Sequence, residues 1–254
     1  GQIDSAARIP EFVQRAYATA MSGRPGPVVL VVPEDVLEES AEVLDARPSA
    51  PATAGAPREA DVATIFGFLA AAEKPVLVVM DGGFSEVAGE DIQRFAAAND
   101  VPVVATFRRR DIIDNAHPCY AGEIGIGSNP ALLAHIRESD LVIMANDALS
   151  DVNTIGAGYM EGFTLFSLPV PRQKVVHATG NFEDLNRVFQ VDLALCVDND
   201  AFAAALASHA PVDASARAGW RQALRATYEK ESPLGPGPGA VNLPQVMVWL
   251  LQRL

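Results

Sequence analysis

The chain has 254 residues, 49% of them hydrophobic, which is enough to bury a full core in one large domain or two. Its 32 acidic against 19 basic side chains leave a net charge of −13, which excludes nucleic acid and anionic membrane as partners because both would be repelled. With no secretory leader and no apolar run near the roughly 18 residues of a membrane span, the chain is expected to be soluble and cytoplasmic. It opens on Gly1 rather than Met and so reads as a fragment of a longer protein. Its two distant cysteines, Cys119 and Cys196, read as small buried residues rather than a disulfide or a metal pair.

A helix pattern runs from about Pro10 to Met21, with Phe12, Val13, Ala16, Tyr17 and Ala20 at helical spacing. In the turn that follows, Pro25 and Pro27 fix φ while Gly23 and Gly26 allow the reversal. Val28–Val32 is an unbroken aliphatic run that reads as a strand buried on both faces, stopped by Pro33. With so little chain before it, this strand is expected to close a sheet whose other members are missing. It should lie apart from the sheet that follows, beyond a Pro/Ala/Ser/Gly-rich linker at 46–57.

From Arg58 short apolar strands alternate with amphipathic helices. The helix pattern 58–72 carries Val62, Ile65, Phe66 and Leu69 on one stripe, and three more helices are expected at about 87–98, 130–138 and 201–208. A further helix fills the gap near 182–188, and the strands are read at 76–80, 102–106, 141–145, 163–167, 174–178 and 193–197. The pattern predicts an α/β domain, a doubly wound parallel six-stranded sheet of Rossmann-like type over 58–212. Its ligand crevice would lie beyond the strand C-termini, where the loops bearing Gly82/Gly83, Phe107–Gly127 and 146–162 meet. After Pro211 a helix is expected around Trp220, Leu224 and Tyr228, then a linker at 232–239, then an amphipathic helix from Asn242 with nothing of its own to pack against.

Little catalytic chemistry is visible. Asp81-Gly82-Gly83 invites a phosphate-loop reading but lacks the G-x-G-x-x-G spacing, and a tight strand-to-helix turn is the plainer reading. Arg108-Arg109-Arg110, just past a strand end, could grip a diphosphate; a solvated or salt-bridging cluster is the competing reading. The candidates for a nucleotide crevice are therefore Gly82, Gly83, Thr106, Arg108, Gly125 and Asn146. His117 has no nucleophile beside it, His177 sits inside an apolar strand, and His135 and His209 fall on helix surfaces. No metal-ligand spacing, nucleophile elbow or Walker loop occurs, so no catalytic residue and no metal ligand is assigned.

Several segments, taken in order, carry a family resemblance. Gly23-Arg-Pro-Gly-Pro-Val28 with Pro33-Glu-Asp35 resembles the end of the pyrimidine-binding domain of thiamine-diphosphate-dependent enzymes of the acetolactate synthase type. Ala70-Ala-Ala-Glu-Lys-Pro-Val76, Asn115-Ala-His-Pro118 with Gly122-Glu-Ile-Gly125, and Ser139-Asp-Leu-Val142 are similar to their central domain. Gly239-Ala-Val-Asn-Leu-Pro244 resembles the entry to their diphosphate-binding domain.

The resemblance implies that residues 1–45 end one domain, 58–212 form the central domain, and 213–254 are a linker and the first helix of a third. It also implies that thiamine diphosphate and Mg²⁺ belong to a full-length parent, a 2-oxo-acid carboligase or decarboxylase that forms a homo-oligomer with its remaining domains. The activating glutamate and the Gly-Asp-Gly…Asn magnesium motif are not in this sequence, so the chain alone is expected to be inactive. In some relatives the central domain binds FAD or an adenine nucleotide through glycine-lined strand ends. Here those positions are Met80, Asp81 and Asn146, with Ala148 and Asn181 where a basic and an acidic residue are expected, so FAD or ADP is disfavoured. The alternatives kept are a nucleotide-binding module contacting Gly82, Gly83, Arg108 and Gly125, and a stand-alone oxidoreductase with the same kind of sheet.

Overall fold

The computed structural model describes residues 1–23, 25–44, 47, 55–80, 83–146, 150–152, 154, 163–230, 242–251 and 253. At the centre lies a six-stranded, all-parallel sheet in the order β3-β2-β1-β4-β5-β6. The strands are β1 (Pro75–Val79), β2 (Val103–Thr106), β3 (Tyr120–Ile124), β4 (Leu141–Ala145), β5 (Lys174–Thr179) and β6 (Leu193–Cys196). The helices are α1 (Ile9–Met21), α2 (Glu34–Leu37), α3 (Glu59–Ala71), α4 (Glu86–Asn99), α5 (Pro130–Glu138), α6 (Asn199–Ser208), α7 (Ala218–Glu229) and α8 (Leu243–Leu251).

The central strands are mainly apolar because both faces of the sheet are covered. Leu77 and Val79 of β1 join one core with α3, α4 and α6 through Ile65, Leu69, Ile92 and Phe202. Val76 and Val78 point the other way, into a second core with Leu132 and Ile136 of α5 and Trp220 and Leu224 of α7. Register between the two central strands is set from outside the ladder as well as within it. Val76 pairs with Val142 and Val78 with Met144, while the Asp140 carboxylate accepts the backbone N–H groups of Glu73 and Lys74 at 2.7 and 2.9 Å.

Three expectations are corrected. The six strands include Tyr120–Ile124, which the sequence reading leaves inside a loop, and exclude 163–167. The latter stretch is a bend whose backbone bonds to Thr154 while Leu165 and Phe166 plug the sheet face; its hydrophobicity serves burial, not ladder pairing. Between 182 and 188 the only helical stretch is a single 3₁₀ turn, Phe182–Asp184. Val28–Val32 forms one isolated bridge, Gln2 with Val31, and is not buried on both faces: Val29 is 72% and Val31 53% exposed, while Leu30 and Val32 face Ile3, Phe12 and Val36. The same small core takes only Phe12 from the α1 stripe, and Val13 and Tyr17 stay exposed.

Helix α7 is held at the N-terminal edge of the sheet by three arginines spaced one turn apart. The Arg217 guanidinium, fully buried, donates to the carbonyls of Asn99 (3.0 Å) and Asp213 (2.8 Å). Arg221 pairs with Asp100 and donates to Pro118 O at 2.8 Å, and Arg225 donates to the carbonyls of Asn115, His117 and Tyr120. The Trp220 indole N–H reaches Pro75 O at 2.9 Å, tying the helix to the start of β1. No helix among the described residues is long and apolar enough to cross a membrane.

Candidate functional site

With β1 central and the order reversing between β1 and β4, the crevice at their C-terminal ends is where an open α/β sheet binds ligands. Met80 N–H donates to Ala145 O (2.9 Å) and Asn146 N–H to Ala178 O (2.7 Å), so the backbone is still paired as the strands end. Two of the candidate residues meet here. A Cβ on Gly83, which sits at φ +100°, would lie 3.9 Å from Asn146 Nδ2 and 3.1 Å from Nδ2 of Asn199. Asn199 opens α6 and was missed by the sequence reading; the Asp198-Asn199-Asp200 run at a helix start was its signal. Gly82, Asp81 and Ala148 fall outside the described residues.

Asn146 takes the left-handed conformation, φ +62°, that glycine adopts freely and that asparagine tolerates best among the other residues. The backbone turn a glycine would make is thus kept, but with an amide side chain in the crevice. The N-termini of α4, α5 and α6 face the same edge, and each of the three carries a side-chain cap. Ser85 Oγ accepts from Ala88 N, Asn129 Oδ1 from Ala131 N and Asp198 Oδ1 from Ala201 N. Asp200 Oδ1 accepts from Ser85 N across the crevice at 3.0 Å. Donors and partial positive charge that would receive a phosphate are spent on side chains, two of them carboxylates, which would repel one.

The remaining candidates form a separate group over β2 and β3. Gly125, at φ +129°, lies against Phe107: a Cβ there would approach Phe107 Cβ to 2.6 Å. This glycine makes room for a side chain of the protein itself. Thr106 is fully buried and its Oγ1 has no hydrogen-bond partner. Arg108 is exposed, at φ +66°, with its guanidinium 4.9 Å from the Phe107 ring centre. Its neighbours are paired, Arg109 with Asp111 at 3.2 Å and Arg110 with Glu123 at 2.6 Å, which is the salt-bridging alternative for that cluster.

The histidines carry no visible catalytic arrangement. His177 is fully buried in β5, His135 packs edge-on against Trp220, and His209 stacks on Phe66 at 3.9 Å. His117 Nδ1 accepts the Cys119 N–H at 3.2 Å, and burial, opposed by Asp114 and helped by Arg221 and Arg225, holds the imidazole below its ordinary pKa. Burial pushes the Cys119 thiol up to about 11. Cys196, by contrast with the expectation, is exposed on the edge strand.

Thiamine diphosphate with magnesium requires a set of oxygen ligands for the metal and a carboxylate for the pyrimidine ring. Among the described residues no three metal-binding side chains come together. The crevice carboxylates Asp198 and Asp200 are committed to backbone N–H groups. The described residues do not fit that cofactor.

Similarity to known proteins bears on this arrangement. A family model described as "Thiamine pyrophosphate enzyme, central domain" matches residues 62–206. The acetolactate synthase isozyme 1 large subunit of Escherichia coli (strain K12) is 28% identical over 227 residues, covering 89% of this chain and 38% of that protein. The probable acetolactate synthase large subunit of Methanococcus aeolicus is 27% identical over 207 residues, covering 78% and 32%. An acetolactate synthase of Mycobacterium bovis is 28% identical over 198 residues, covering 75% and 30%. The chain spans about a third of the length of these curated relatives.

Proposed function

Because the chain belongs to the thiamine pyrophosphate enzymes, matching their central domain over residues 62–206, we propose that it serves as the structural middle of a 2-oxo-acid carboligase or decarboxylase of the acetolactate synthase type. In this reading the chain alone is inactive. Thiamine diphosphate and Mg²⁺ are bound by the remaining domains of a parent homo-oligomer in the cytoplasm. Residues 1–45 are the end of its pyrimidine-binding domain, and 213–254 lead into its diphosphate-binding domain. The sheet's task is to hold those domains at a fixed separation, and a doubly covered parallel sheet is stiff enough for it.

The observation that carries the reading is the state of the switch-point crevice. Asn146 and Asn199 stand around Gly83, and the nearest helix starts are capped by Ser85 and Asp198. A crevice built this way supports a scaffold rather than a diphosphate site. One observation favours the second reading, a nucleotide-binding module: Arg108 is an exposed cation at a strand end with no carboxylate partner among the described residues.

Thermal unfolding with ADP, FAD or NAD separates the two. Unchanged Tm values are expected; a rise of several degrees with ADP or FAD, lost in Arg108→Gln, would replace the scaffold reading with the second. Acetolactate formation from pyruvate by the protein encoded by the complete gene, and its absence in the 254-residue chain, tests the assignment of the parent.

A further inference from the structure

Where α7 meets the start of β3, one histidine stands beside the arginine ladder. Residues 114–120 turn twice: His117 N–H donates to Asp114 O at 3.0 Å, and Tyr120 N–H to His117 O at 2.9 Å. The His117 ring closes the second turn, its Nδ1 accepting the Cys119 N–H at 3.2 Å. An imidazole nitrogen accepts only while it carries no proton, so this geometry requires a neutral ring with its proton on Nε2.

Helix α7 lies over the same turns. Arg221 donates to Pro118 O at 2.8 Å, and Arg225 donates to the carbonyls of Asn115, His117 and Tyr120. Tyr228 packs edge-on against Tyr120, with ring centres 4.9 Å apart. The charges facing the imidazole are thus Arg221 and Arg225 from α7 and Asp114 from its own turn, beside the Cys119 thiol. The carboxylates of this region already have partners. Asp100, at the end of α4, pairs with Arg221, Glu229 pairs with Arg225, and Asp114 Oδ1 accepts from Ala116 N–H at 2.8 Å. A proton on Nδ1 would remove the acceptor and point one N–H at another. It would also set a third positive charge beside two guanidiniums.

We propose that His117 is an acid-sensitive latch, whose protonation frees the Cys119 N–H, opens the 114–120 turns and loosens α7 from β3. Burial, opposed by Asp114 and helped by Arg221 and Arg225, holds the imidazole below its ordinary pKa, so the latch is closed at neutral pH. Its contribution is complete above the unfolded value of about 6.5 and is lost as pH falls through the lower folded value. The inference rests on this geometry and not on the proposed role of the chain.

The test is a nuclear magnetic resonance titration of the 254-residue chain between pH 7.5 and 5.5, with urea unfolding at both ends. The His117 ring protons and the Cys119 amide should move together, with one midpoint below the ordinary histidine value. Amide exchange over 118–122, corrected for its chemical rate, should lose about fivefold protection at pH 5.5. The urea midpoint should fall by about 0.3 M over the same interval. His117→Asn offers an uncharged acceptor at the same place and should remove both losses while keeping the neutral-pH midpoint. His209→Asn, at the end of α6, is the control and should keep them. A Cys119 amide that does not follow His117, a His117 midpoint at or above the ordinary value, or a His117→Asn protein with unchanged pH dependence overturns the proposal.

Discussion

Replacing Arg217 tests whether α7 is an integral part of the folded unit. Its side chain is fully buried, and its two guanidinium nitrogens satisfy the carbonyls of Asn99 and Asp213. Two charge-assisted hydrogen bonds are worth about 1.5–3 kcal/mol each, so their loss would cost about 3–6 kcal/mol. Releasing a buried charge from its desolvation cost returns part of that, leaving about 2–4 kcal/mol for Arg217→Ala. With a urea m-value of about 2–3 kcal/mol/M, the midpoint should fall by about 1 M. Trp220 supplies the readout, since it is buried on α7 and bonded to Pro75 O; Trp249, the other tryptophan, is half-exposed and is removed as Trp249→Phe in the background. Arg217→Met restores packing volume but not the bonds, so it should recover only part of the loss. Trp220 emission changing well before the far-ultraviolet circular dichroism would refute the reasoning, because α7 would then be a separately melting appendage. An Arg217→Met protein as stable as its parent would refute it too, since the carbonyl bonds would contribute nothing net.

Other consequences are as direct. Gly89→Ala inserts a methyl 2.5 Å from Ile112 O within α4; despite alanine's better helix propensity it should destabilise by about 2 kcal/mol, read as a urea midpoint shift. Leu224→Ala removes a fully buried side chain from the α7 face of the core and should cost about 2–4 kcal/mol by the same measurement. A thiol reagent at pH 8 should modify Cys196 quickly and Cys119 only on unfolding, giving one fast equivalent per chain. Because the Cys119 pKa is raised to about 11, the folded state keeps its proton when the unfolded state has lost it. Its contribution is therefore complete below about pH 9 and fades towards pH 11, by about 2 kcal/mol, a loss that Cys119→Ala should not show.

The parallel sheet is legible where strands are covered on both faces. β1, β2, β4 and β5 read as mainly apolar runs because both of their faces are covered, with Thr106, His177 and Thr179 as buried polar exceptions. β3 escapes that rule: Gly122 at φ +114° and the half-buried Glu123, paired with Arg110, break the run at the sheet's edge. The stretch 163–167 misleads for the converse reason, since Leu165 and Phe166 are buried without joining a ladder. The α1 stripe and Val28–Val32 have apolar surface without a described neighbour to bury it.

At the crevice, the strand ends and Asn146 are readable from the sequence, but Asn199 arrives from 116 residues beyond Gly83 and only the fold brings it there. The arginine ladder of α7 was present as a one-turn spacing at 217, 221 and 225. Its partners are backbone carbonyls, which have no signature in a sequence.

A scaffold whose catalytic cofactor is held by other domains should not bind that cofactor by itself. Isothermal calorimetry of the 254-residue chain with thiamine diphosphate and Mg²⁺ measures that claim with least intervening inference. No saturable heat at millimolar cofactor is the predicted result; a stoichiometric binding isotherm that depends on Mg²⁺ would contradict it.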